Sequence, residues 1–161
     1  MTIAGYLTWF DEVVAPTEPM IRLVEDRFLE SKLTERSFTI GQLIAHLPRS
    51  LRFNTKVLQA KEDLPTMREI LLSNRRHPTS TVEESVDLLN KSILLFKEAV
   101  NELDDDQFQK KIISTPQMGN VVVWRFCVFV IEHQIHHMME LHLSLKVLGL
   151  PVNTKTLYAG V

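Results

Sequence analysis

Disulfide chemistry is the first thing this sequence lacks, since its 161 residues carry a single cysteine, Cys127. No internal disulfide can form, and a reducing cytoplasm is the expected compartment. An excess of charge of one sign is missing too. Lysine and arginine number 18 against 20 acidic residues, for a net charge of −2. That balance gives no electrostatic case for nucleic acid or an anionic membrane as a partner. The apolar run at 121–131 is too short to span a membrane and contains Arg125. Asp11 and Glu12 interrupt the early apolar residues, which does not match a signal peptide. Glycine (5) and proline (7) are scarce and stand mostly at apparent boundaries, which suits helices better than many tight turns. No internal repeat or low-complexity segment interrupts the chain.

What is present is enough apolar residue, 45%, for one domain over 1–161 with a real core. Ile3 to Val14 reads as a short helix or packed arm ended by Pro16, and its Tyr6, Trp9 and Phe10 would suit a partner surface if exposed. Glu18-Pro19 opens a helix expected to run to about Ser31, with Met20, Leu23, Val24, Arg27 and Phe28 at helical spacing. Lys32 to Phe38 reads as a polar connection.

Thr39 and Gln42 match a capping box. The helix they start places Leu43, His46, Leu47, Ser50, Phe53 and Val57 on one side. Pro48 falls inside it, frees the Ile44 carbonyl and bends the axis within a turn of His46, either tilting a site open or serving as a structural kink. Residues 61–64 read as a loop, 65–74 as a short amphipathic helix or turn, and Arg75 to Pro78 as a connection. Ser80 or Thr81, with Glu83 or Glu84, caps a long helix whose buried stripe is Val86, Leu89, Ile93, Phe96 and Val100, ended by Asp104 to Asp106. Phe108 to Asn120 reads as a loop. The last helix is expected over Val121 to Gly149, with Pro151 beyond its glycine stop. Its first ten residues are rich in β-formers, yet they run unbroken into a helical pattern. Four main helices plus short extra ones predict an all-α four-helix bundle.

The last helix carries His133 and His137, four residues apart and so on one face. Two imidazoles and Glu140 on an otherwise apolar stripe are costly to bury unless something satisfies them, and a divalent metal is the simplest candidate. A third ligand must come from elsewhere, and His46, on the buried stripe of a capped helix, is the best placed. His77 sits in a Pro-flanked basic loop and reads as solvated. His136 is about 60° off the His133 direction on the helix, and His142 is on the far side. Three imidazoles holding Zn²⁺, Ni²⁺ or Fe²⁺ leave coordination positions for substrate. Glu140 either closes the site as a fourth ligand or orients His137; it is the one side chain assigned to the reaction beyond the ligands. Peptidase chemistry of the H-E-x-x-H kind is excluded, because Gln134 stands where the basic glutamate is required. Cys127, Met138 and Met139 read as core.

The segments Ile40-Gly-Gln-Leu-Ile-Ala-His46, His133-Gln-Ile-His-His137 and Leu148-Gly-Leu-Pro151 resemble the DinB/YfiT-like superfamily of small four-helix bundles with a three-histidine metal site. The resemblance implies His46, His133 and His137 as ligands and His136 as a non-ligating neighbour. The chain departs just after the last ligand, with Met138-Met-Glu-Leu141 where the family often has Arg-Gly-Gln-Leu. Several members are thiol S-transferases using bacillithiol, mycothiol or glutathione; others are hydrolases or isomerases of thiol adducts, and many have no assigned reaction. The leading expectation is therefore a metal-dependent transferase or hydrolase acting on a small-molecule substrate, a low-molecular-weight thiol above all. The alternative is a non-catalytic module that binds a metal or small ligand or dimerises through exposed apolar faces. A homodimer is the expected assembly. The plainest alternative is a bundle whose histidines merely pack.

Overall fold

The computed structural model describes residues 1–59, 64–66, 68–69 and 80–159. Its helices are α1 (Ile3–Val14), α2 (Thr17–Arg22), α3 (Ile40–Leu58), α4 (Val82–Asn101), α5 (Asp105–Lys110), α6 (Val123–Val147) and α7 (Thr154–Ala159). Strands β1 (Ile112–Thr115) and β2 (Gly119–Val122) lie between α5 and α6. The expected all-α bundle is what the chain forms, with α1, α3, α4 and α6 as its long members. None of the described helices is long and apolar enough to cross a membrane.

Cross-helix bonds fix the directions. The Tyr6 hydroxyl donates to the Cys127 carbonyl (2.9 Å), and eleven residues further along the chain on each side Thr17 Oγ1, at the start of α2, meets Met138 Sδ (3.7 Å). The first two helices therefore run parallel to α6. Asp11 pairs with Lys97 (2.6 Å) and Glu18 with Asn90 (2.9 Å), so the same pair runs antiparallel to α4. At the foot of α4 the Ser80 amide donates to the Gly41 carbonyl in the first turn of α3 (3.4 Å), which makes α3 and α4 parallel. The order of the four long helices is up-down-down-up. Consequently α3 and α6 meet antiparallel, the arrangement that brings their histidines together.

Local chemistry explains the helix ends. Thr39 and Gln42 form the expected capping box, each side chain bonding the other's backbone N–H at 3.0 Å. Of the candidates at the start of α4, Thr81 and Glu84 make the box, each such cap being worth about 1 kcal/mol. The last long helix has no side-chain cap; its first amide, Val123 N–H, is satisfied instead by the Lys111 carbonyl at the base of the hairpin (2.9 Å). It stops at a left-handed Gly149 (φ +77°), with Gly149 N–H on the Lys146 carbonyl and Leu150 N–H on that of Leu145. Those two bonds are the Schellman pattern, and they bear out the glycine stop.

Several expectations are corrected. The helix expected from Glu18 to Ser31 ends at Arg22; Glu25 is extended and a 3₁₀ turn occupies Asp26–Phe28. Asp104 does not end α4, which stops at Asn101, but caps α5 in a box with Gln107. The loop expected over 108–120 contains the end of α5 and an antiparallel hairpin pairing Ile112 with Val122 and Thr115 with Gly119. A three-residue turn with a left-handed Gly119 (φ +66°) closes it, so Val121 and Val122 are strand. The condition set for an N-terminal partner surface is met by Trp9 alone of its three aromatics (37% exposed), since Tyr6 and Phe10 are fully buried. The connection at 61–64 and the helix at 65–74 lie largely, and His77 wholly, outside the described residues.

Candidate metal centre

His46 projects from the second turn of α3, and His133 and His137 project from one face of α6. All three meet. Nε2 of His46 and Nε2 of His133 are 3.2 Å apart, and the ring centroids stand 5.4 Å (His46–His133), 4.5 Å (His46–His137) and 4.6 Å (His133–His137) apart. One nitrogen from each ring lies within 4.8 Å of the others. Two nitrogens bound to one tetrahedral ion at about 2.0–2.1 Å stand about 3.3 Å apart, so the His46–His133 spacing fits a shared cation. His46 is 5% exposed, and the other two sit at the edge of the buried face of α6. Burial, reinforced by the neighbouring His137 and His136 rings, pushes His133 down to about 4. It is therefore neutral at physiological pH, the form in which imidazole offers a lone pair to a metal.

Glu140 is one turn past His137, and its Oε2 is 3.0 Å from His137 Nδ1. With Nδ1–H donated to the carboxylate, the remaining lone pair of His137 is on Nε2. This is the carboxylate–histidine pairing that orients metal-ligating imidazoles. His136, His137 and Glu140 also form a compact group on their own, but it uses the same imidazole and carboxylate as this pair. His136 is exposed and stands edge-on to His137, 4.9 Å away, flanking the trio. His142 lies elsewhere, with Nε2 3.2 Å from the Asn153 carbonyl.

Two phenyl rings enclose the trio. Phe38 stacks on His46 at 5.2 Å and lies 6.1 Å from His137, while Phe129 is 5.9 Å from His133. Sequence reasoning placed Phe38 in a polar connection. Its signal was its position just before the N-cap Thr39, where an apolar residue commonly fixes the entry of the chain into a helix. The backbone there is held firmly. A Lys32–Thr39 bridge closes the loop, and Ile40 and Gly41 donate to the Ser31 and Leu29 carbonyls at 2.9 and 2.8 Å.

Gln134 also has a role that its sequence position alone did not signal. Its side chain does not face the histidines; it is 1% exposed and reaches across to α3, where Nε2 lies 2.9 Å from Ser50 Oγ and 3.4 Å from the Leu47 carbonyl. Pro48 is buried within a helix that continues past it to Leu58. Cys127 and Met138 are core residues, as expected, and burial pushes the Cys127 thiol up to about 12.

Residues 10–141 match the DinB superfamily. The chain belongs to that superfamily. Solved structures of DinB-like proteins share its fold. One from Bacillus cereus superposes with a TM-score of 0.76 at 21% identity, covering 94% of this chain and 96% of the other. One from Bacillus subtilis gives 0.66 at 18% identity, covering 92% and 96%. No functionally curated protein matches the sequence. The DinB resemblance read from the two histidine segments thus stands, and the same segments form the histidine cluster of the fold.

Proposed function

We propose that this DinB-superfamily protein is a metal-dependent enzyme, a thiol S-transferase or a related hydrolase, in which His46, His133 and His137 hold one divalent ion. The convergence of three imidazoles from two antiparallel helices carries this reading. A Zn²⁺, Ni²⁺ or Fe²⁺ ion with an open coordination position would supply Lewis acidity and favour the thiolate of a small thiol at neutral pH. The chain's own groups do the rest. Glu140 accepts the Nδ1 proton of His137 and holds the ring in one orientation. Phe38 lies against the His46 ring and Phe129 against the His133 ring. Their partial exposure leaves apolar surface beside the trio for the uncharged part of a substrate. Glu140 acts through His137 and is therefore a positioning residue in this account rather than the catalytic group itself.

The depth of the trio favours a second reading. With His46 buried and the His137 side chain only 12% exposed, a module that holds an ion or small ligand without turnover has the same geometry. Two measurements separate these readings. Elemental analysis of wild type and His137→Ala should find near-stoichiometric metal only in wild type. Conjugation of glutathione, bacillithiol or mycothiol to a small electrophile should then proceed in the metal-loaded protein and stop when the metal is stripped. Metal retained in full by His137→Ala would remove His137 from the site, and a loaded protein inert with all three thiols would remove the S-transferase and leave a related hydrolase or the binding module.

A further inference from the structure

We propose that Gln134 is a positioning residue that sets the spacing between the two metal-holding helices, an inference that rests on the metal-binding reading above. Gln134 follows His133 directly on α6, and its target, the carbonyl of Leu47, belongs to the residue following His46 on α3. The two helices are thus joined one residue past a ligand on each side. Leu47 O can only accept, so the Gln134 amide must present its nitrogen there, which settles the orientation of the side chain. That NH₂ group donates to Leu47 O (3.4 Å) and Ser50 Oγ (2.9 Å), while Ser50 donates its own hydroxyl to Leu47 O (2.8 Å). The three groups close a buried triangle.

This turn of α3 needs fixing. Pro48 has no N–H to bond the Ile44 carbonyl, so the helix ladder is interrupted within one turn of His46. Ridge-and-groove packing alone tolerates ångström shifts between helices, whereas ligands must be held within about 0.5 Å of productive geometry. A directional bond from the ligand-bearing turn of one helix to that of the other supplies the constraint. Ordinary packing does not explain the residue well. Gln134 Oε1 is buried with no partner among the described residues, a cost that an apolar side chain of the same size would avoid.

The test uses Co²⁺ as probe on the full-length chain, with affinity read by chelator competition and geometry by the d–d absorption bands. Gln134→Met keeps the volume and removes the donor. It should weaken Co²⁺ binding about 10-fold or more, the effect of losing a buried supporting contact, and alter the d–d bands. The metal-free melting temperature should fall by no more than about 2–4 °C. Ser50→Ala should shift affinity in the same direction by less. Gln134→Glu spells H-E-x-x-H, yet it should weaken binding and yield no peptidase activity, because position 134 faces the α3 backbone.

Unchanged affinity and bands in Gln134→Met, with wild type binding one Co²⁺, would overturn the positioning role alone. Tighter binding in Gln134→Glu would do the same, by showing that the side chain reaches the ion. Absence of Co²⁺ binding in wild type would overturn the metal reading and this inference together.

Discussion

Cys127 and His133 are six residues apart on α6, yet they sit in two different kinds of interior. Around Cys127, the rings of Tyr6, Phe10, Phe96 and Phe108 pack at centroid distances of 5.1–6.2 Å. The Tyr6 hydroxyl there donates to the Cys127 carbonyl (2.9 Å). Burial raises both the tyrosine and the thiol, the latter to about 12, so neither ionises near neutrality. Around His133 the side chains are mostly half-buried, and the polar atoms differ. Three imidazoles face one another, and Glu140 meets that of His137. A donor meeting an acceptor completes a core, whereas like groups converging on one point are satisfied together by a shared cation. What separates the site from the core is therefore how polar groups are paired, together with the partial exposure of His133, His137 and Glu140.

The contrast can be broken most forcefully at the histidines. His46→Ala or His137→Ala should reduce bound metal from about one ion per chain to nearly none by elemental analysis, since two nitrogens hold such an ion poorly. Phe96→Ala strikes the other region. It should cost about 3–5 kcal/mol in urea unfolding while metal content in the folded fraction stays at the wild-type level. If the two substitutions exchanged effects, the regions would not be distinct.

Glu140 sharpens the comparison from the side of the site. Glu140→Ala should weaken metal affinity by about 10–100-fold. Glu140→Gln, whose amide oxygen can still accept from His137 Nδ1, should weaken it less, and equal losses would mean that the carboxylate charge is what counts. Tyr6→Phe should have the smallest effect, about 1 kcal/mol of stability for one buried hydrogen bond, with no change in metal affinity.

Much of this was legible in the sequence, for identifiable reasons. Thr39/Gln42 and Gly149/Pro151 announced helix ends because the chemistry of a cap is local. The i, i+4 spacing of His133 and His137 is a property of one helix, and His46 stood out on the buried stripe of a capped helix, a choice the DinB resemblance also implies. What depends on the return of the chain was hidden. No proline or glycine marks the break at Glu25. The β-branched residues of the hairpin flank a Pro116–Gly119 turn that also reads as a plain loop. The direction of Gln134 was hidden too, because its partners Leu47 and Ser50 lie on another helix. Asp104 looked like a terminator but is a starter, since an acidic side chain before a helix caps its N-terminus.

The central claim is that His46, His133 and His137 hold one ion. It is tested most directly by X-ray absorption on wild-type protein purified without a nickel column or chelator. The account predicts one divalent ion per chain with three imidazole nitrogens at about 2.0–2.1 Å, as for zinc. Protein that carries no metal and takes up none from zinc, nickel or iron salts, or an ion whose shell holds fewer than three imidazoles, would contradict it.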